Sequence, residues 1–173
     1  MKKEKYADVL FFDEARFGTH TKLGYGWFKK GSRAITKIKI GYKSFYLYSA
    51  ISACIGENVT LILPRVNTDC MNVYLKYLSE QYVGQKIALI MDGAGWHKSK
   101  GLEVPENIRI FLLPPYSPEL NPVEQLWLHV KQNVLYNRLF EKLEQLEEKV
   151  IDFLRTLQDH TVAQICANNY LDG

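Results

Sequence analysis

Cysteine is scarce: the 173 residues hold only Cys54, Cys70 and Cys166, an odd and scattered count with no C-x-x-C pair. Neither a disulfide framework nor a cysteine zinc site is supported, and a reducing cytoplasm fits. Also missing is any apolar run near the roughly 20 residues that cross a bilayer. The start, Met1-Lys2-Lys3-Glu4-Lys5, leads into a short apolar run without a small-residue cleavage site. Membrane and secretory classes fall away, so the Asn58-Val59-Thr60 sequon reads as an ordinary turn. Repeats and low-complexity tracts are absent. So is a large excess of one charge: 22 Lys and Arg against 19 Asp and Glu leave +3, too little to mark a nucleic-acid partner in bulk, so any basic surface is local. What remains is an ordinary globular composition, 47% hydrophobic, able to build one core; a single domain over 1–173 is expected.

Val9-Leu10-Phe11-Phe12 is apolar at every position, as in a strand buried on both faces, and is expected to end at the acidic pair Asp13-Glu14. Residues 21–43 turn glycine-rich, aromatic and basic, which predicts an exposed hairpin or arm. Two β-prone stretches, 45–54 and 59–63, suggest an antiparallel hairpin closed off by Pro64. Thr68 or Asp69 is the expected cap of a helix with Met71, Tyr74, Leu75 and Leu78 on its inner face, running to about Tyr82. Ile87 to Met91 and Ile108 to Leu113 are two further strands, the first followed by Asp92 and the second by Pro114-Pro115, with room for a short helix near 96–102. Asn121-Pro122-Val123-Glu124 opens a helix to roughly Tyr136, with Asn121 as cap and proline first. Helices over 141–157, with its charge run on the solvated face, and about 162–170 complete the chain. The fold class is α/β: a mixed sheet, antiparallel hairpin plus parallel strands, flanked by helices and extended by helices at the C-terminal end.

In open α/β sheets functional groups gather at the carboxyl ends of parallel strands, and both Asp13 and Asp92 directly follow an apolar strand. If those strands are neighbours, the two carboxylates approach to about 5 Å. Two anions that close in a poorly solvated cleft need a shared proton or a bridging cation, and hard oxygen ligands favour magnesium or manganese. On a helical wheel with Val123 at zero, Leu126, Trp127, Val130 and Val134 fall within about 60°, while Glu124 falls near 100° and Lys131 near 80°. Glu124 thus flanks the buried stripe and can reach over the sheet edge, although it also suits the glutamate of a capping box. A strand-end aspartate can likewise be a mere turn residue. Glu14 points to the opposite face if its strand continues, and has only a secondary place near a metal. His97 has no second ligand at metal spacing, so metal, phosphate and a structural hydrogen bond remain open for it. Gly93-Ala94-Gly95-Trp96-His97-Lys98-Ser99 lacks the spacing of a nucleotide-binding loop.

Phe12-Asp13-Glu14, then Met91-Asp92-Gly93-Ala94-Gly95-Trp96-His97-Lys98-Ser99, and above all the block from Leu113 to Trp127 (LPPYSPELNPVEQLW) closely resemble the DDE catalytic domain of mariner-superfamily transposases from bacterial insertion sequences. The similarity extends over roughly Val9 to Leu157. It implies a ribonuclease H-like fold in which the catalytic acids map to Asp13, Asp92 and Glu124, the last pair 32 positions apart. It further implies two divalent ions, Mg2+ or Mn2+, held by those acids, and cleavage and strand transfer of DNA at transposon ends in a bacterial cytoplasm. DNA phosphates would meet Trp27, Lys29, Lys30, Arg33, Lys37 and Lys39 of the arm, with Lys98 and Lys131 nearer the acids. A homodimer is expected because two ends are processed together. Family members carry helix-turn-helix modules ahead of this domain, whereas eight residues precede Val9. Recognition is therefore expected from a separate polypeptide, the chain being a split-frame product, a fragment or a remnant. The alternatives are a stand-alone ribonuclease H-like nuclease and an inactive transposase-derived DNA-binding protein; a two-carboxylate glycosidase leaves the third acid without a role.

Overall fold

The computed structural model describes residues 5–23, 29–30, 40–93 and 101–167. Five strands form one mixed sheet: β1 (Asp8–Gly18), β2 (Ser44–Ile51), β3 (Asn58–Leu63), β4 (Ile87–Met91) and β5 (Ile108–Leu112). Their order is β3-β2-β1-β4-β5, with β1–β2 and β2–β3 antiparallel and β1–β4 and β4–β5 parallel. Between β3 and β4 runs α1 (Thr68–Gln81); after β5 come a 3-10 turn at Pro118–Leu120, then α2 (Val123–Val134), α3 (Leu143–Thr156) and α4 (Asp159–Cys166).

The all-apolar start of β1 is buried on one face, at Leu10 and Phe12, while on the other Phe11 is partly buried and Val9 is exposed, so the expected burial on both faces holds only in part. Leu10 and Phe12 pack with Met71, Tyr74, Leu75 and Leu78 of α1, the four residues expected to face inward. Ala15 and Phe17 pack on the other side with Leu126, Trp127 and Val130 of α2 and with residues of α3 and α4. Because side chains alternate along a strand, Asp13 shares the α2 side and Glu14 the α1 side.

Several boundaries differ from the sequence expectation. Strand β1 does not stop at Asp13-Glu14 but runs to Gly18, because β2 supplies backbone partners from Phe11↔Ile51 to Gly18↔Ser44. Only its parallel pairing with β4 stops short, at Phe11↔Ile90. The cap of α1 is Asn67, whose side chain accepts from the Cys70 amide at 2.9 Å, in place of Thr68 or Asp69. The last helix spans Asp159–Cys166 and α2 ends at Val134, short of Tyr136. The expected helix near 96–102 lies mostly outside the described residues. No helix among the described residues is long and apolar enough to cross a membrane.

Gly56 locks the β2–β3 turn onto α4. Its φ is +81° and a Cβ there would strike the Asp159 backbone carbonyl. Gly56→Ala is therefore expected to cost more than about 2 kcal/mol, read as a lower midpoint in denaturant unfolding with an unchanged slope.

Candidate active site

Phe11 pairs with Ile90 in parallel register, so Asp13 and Asp92 stand two residues beyond the same rung on neighbouring chains. The third acid arrives from α2, and its placement depends on Asn121. The buried Asn121 side chain donates from Nδ2 to the Phe12 carbonyl at 2.9 Å and accepts the Val123 amide on Oδ1 at 3.2 Å. The cap position of α2 is Pro122, without a side-chain cap bond, rather than the expected Asn121; the Asn121 side-chain amide sits one residue before it and ties the start of the helix to the residue before Asp13. The Asn121 N–H donates to the Pro118 carbonyl at 3.0 Å, so it does not close a capping box with Glu124. Glu124 is exposed on the flank of a stripe formed by Val123, Leu126, Trp127, Val130 and Val134, as the helical wheel predicts.

Asp13, Asp92 and Glu124 line one cavity of about 580 Å³ together with the loop from Leu112 to Pro118. Asp13 is the most constrained of the three. The indole Nε1–H of the fully buried Trp127 donates to Asp13 Oδ2 at 3.0 Å, giving the indole its acceptor and fixing the carboxylate. Burial, then the charge of Glu124, then that of Glu14, push the Asp13 carboxyl up to about 7 from its ordinary 3.8, against the opposing hydrogen bonds from the Glu14 backbone and Trp127. Asp13 near neutral pH therefore sits in a surplus of negative charge. Among the described residues no three His, Cys, Asp or Glu side chains stand close enough to enclose a metal ion. The acids form a rim rather than a closed cage.

A second cavity of about 610 Å³ shares Asp13 and Glu124 and is lined by Arg16, His20, Lys22 and Lys131. Lys131 is half-buried, its Nζ 5.8 Å from the Phe17 ring centroid. Burial and then the neighbouring charge of Lys22 lower its pKa, while Glu124 and Asp13 oppose that shift. Among the described residues, these cations gather beside the acids.

Of the residues singled out from sequence, Asp13, Asp92 and Glu124 converge and Lys131 adjoins them. Glu14 lines the second cavity. Lys29 and Lys30 are exposed. Trp27, Arg33, Lys37, Lys39, His97 and Lys98 lie outside the described residues. Arg16, His20 and Lys22 were not singled out from sequence; they meet the acids in the second cavity because β1 continues past Asp13 to Gly18 and the chain after it turns alongside, which no local pattern announces. It also counted Trp127 as core and Asn121 as a cap; a buried indole N–H three residues after Glu124 was the available signal.

A family profile described as DDE superfamily endonuclease matches residues 8–147. An uncharacterized protein, y4pE/y4sA of Sinorhizobium fredii, is 40% identical over 97 residues, covering 56% of this chain and 72% of that protein. The insertion element IS630 uncharacterized 39 kDa protein of Shigella sonnei is 28% identical over 155 residues, covering 86% of this chain and 45% of that protein. Among solved structures, the Mos1 mariner paired end complex with Mn superposes with a TM-score of 0.71 at 15% identity, covering 95% of this chain and 53% of that one. The chain spans about half the length of the IS630 protein and of Mos1. With the family profile matched over residues 8–147, most of its length, the chain belongs to the DDE superfamily of endonucleases.

Proposed function

We propose that this chain is the catalytic domain of a DNA transposase, cutting DNA at transposon ends and joining the freed 3′-hydroxyl to target DNA. The observation that carries this reading is the convergence of Asp13, Asp92 and Glu124, drawn from three remote segments, on one cavity. The IS630 relative belongs to an insertion element and the Mos1 structure is a paired end complex with Mn, which supports a DNA substrate and divalent metal.

The donor set fits Mg2+ or Mn2+. All three groups are hard oxygen donors, and magnesium is held by one or two carboxylates together with water and substrate phosphate, so an open rim suits it better than a cage. Burial raises the Asp13 carboxyl most, and the charges of Glu124 and Glu14 that add to it are charges a cation would offset. When bound, two such ions supply a polarised water or 3′-hydroxyl and stabilise the leaving oxygen. The protein's own part is positional: Trp127 holds one oxygen of Asp13, Asn121 anchors the turn that carries Glu124, and Arg16, His20, Lys22 and Lys131 offer a phosphate track leading to the acids. End recognition then comes from a helix-turn-helix polypeptide, and pairing of two ends from a homodimer.

The test is a Mn2+ titration of plasmid nicking and of joining of a pre-cut 3′-hydroxyl oligonucleotide, with a recognition module supplied. Cutting with joining supports the proposal. Cutting alone reduces the chain to a nuclease, and binding without either reaction leaves a DNA-binding protein. Lys22→Ala and Lys131→Ala should each flatten the salt dependence of DNA binding by about one unit of log–log slope.

A further inference from the structure

The loop beside the acids carries an unusual residue. Tyr116 lines the cavity with Asp13, Asp92 and Glu124, is fully exposed, and has φ of +59°. A proline followed by a left-handed residue has the order of a type II turn, whose third position normally takes glycine or asparagine. Tyrosine is strained there, and its ring is left in water.

The loop that carries it is anchored at both ends. The Leu113 amide bonds to the Met91 carbonyl at 2.8 Å where the loop leaves β5. Asn121 pins the other end to Phe12. Between these anchors Pro114, Pro115 and Pro118 restrict the backbone. The outcome is an exposed aromatic side chain on a loop anchored at both ends, lining the same cavity as three carboxylates, at a cost in both backbone strain and apolar exposure.

Resting on the reading of this cavity as a phosphodiester-processing site, we propose that Tyr116 is a stacking platform for one base of the bound DNA strand. The nucleotide whose phosphate lies at the acids also brings a base with a flat π-face. Base–aromatic stacking tolerates any sequence, and a side chain with only two torsions loses little entropy on binding. A base inside a duplex has no free face, so the partner is a base at an unpaired end or one turned out of the stack. Tyr116 would thereby hold the reacting strand in register with Asp13, Asp92 and Glu124.

The experiment uses the full chain in Ca2+ at low salt, titrated with a duplex bearing a single-stranded 3′-hydroxyl extension, and with the same duplex carrying an abasic residue at each extension position in turn. The parent should lose affinity about tenfold at one position. Tyr116→Ala should bind the intact DNA about tenfold more weakly and ignore the abasic residue, while Tyr116→Phe should match the parent. Tyr116→Gly, which suits a positive φ, should melt at a higher temperature than the parent yet bind as weakly as the alanine variant, a separation that a merely structural tyrosine would not give. Parent-like binding by the alanine and glycine variants, or a phenylalanine variant as weak as alanine, overturns the proposal. Mn2+ affinity, measured alongside, separates the two readings: it should be unchanged by Tyr116 substitutions and lost in Asp92→Asn. Retention of Mn2+ by Asp92→Asn, or failure of the parent to bind any of these duplexes, overturns the reading of the site itself.

Discussion

Asp13→Asn, Asp92→Asn and Glu124→Gln are each expected to lower Mn2+-dependent strand cleavage by about 10³-fold or more. Each exchange keeps side-chain volume and removes one anionic donor, and metal-assisted stabilisation of several kcal/mol converts to that range of rate. Asp92 and Glu124 are exposed, so their variants should unfold within about 0.5 kcal/mol of the parent and the loss cannot be laid to misfolding. Glu119 supplies the control. It lies in the same sequence block, five residues ahead of Glu124, but lines neither cavity, and Glu119→Gln should cleave as the parent does. Cleavage by Glu124→Gln within tenfold of the parent would remove the third acid from the site.

The second large effect is on stability and runs the opposite way. The Asp13 carboxyl titrates near 7 in the folded chain against 3.8 ordinarily, so between those values the native state holds a proton that the unfolded state has released. Stability from this group is therefore complete below about 3.8 and declines as pH rises toward 7, at up to about 1.4 kcal/mol per pH unit and on the order of 4 kcal/mol as a ceiling. Asp13→Asn removes this dependence. In metal-free buffer at pH 8 the variant should melt above the parent, and at pH 4 the two should converge. The difference between them isolates Asp13 from every other titrating group. Saturating Mg2+ or Mn2+ should raise the parent at pH 8 and leave the variant nearly unmoved, since ligand stabilisation requires binding to the native state. A variant less stable than the parent at pH 8 without metal would show that the charge crowding on Asp13 is not a native-state cost.

The two effects concern one carboxylate. Under the proposed function Asp13 is a metal ligand, and without metal it is a burden on the fold, because its burial and the neighbouring charge of Glu124 make an isolated anion costly there. Trp127 moderates that cost through its hydrogen bond to Oδ2 but does not remove it.

Sequence alone settled the elements that carry most of the buried apolar side chains. The apolar runs at 9–12 and 87–91 become adjacent central strands, and Met71, Tyr74, Leu75 and Leu78 become the buried face of α1, because such patterns have few other ways to leave water. That Asp13, Asp92 and Glu124 would line one cavity was legible from their place after strands and beside a helical stripe, and the block from Leu113 to Trp127 pointed to the family. What only the tertiary structure decided depends on partners far away in the chain. Strand β1 passes through Asp13 and Glu14 because β2 completes its backbone hydrogen bonds, which local propensity at two acids cannot foretell. Asn67, Thr68 and Asp69 can all cap, and backbone geometry selects the first. The Trp127–Asp13 bond joins residues 114 positions apart, and the Asn121–Phe12 tie joins residues 109 apart, both between side chains or backbone groups that only packing brings together. The left-handed φ of Tyr116 likewise belongs to a loop stretched between β5 and the anchored start of α2, a constraint set by the positions of its two ends.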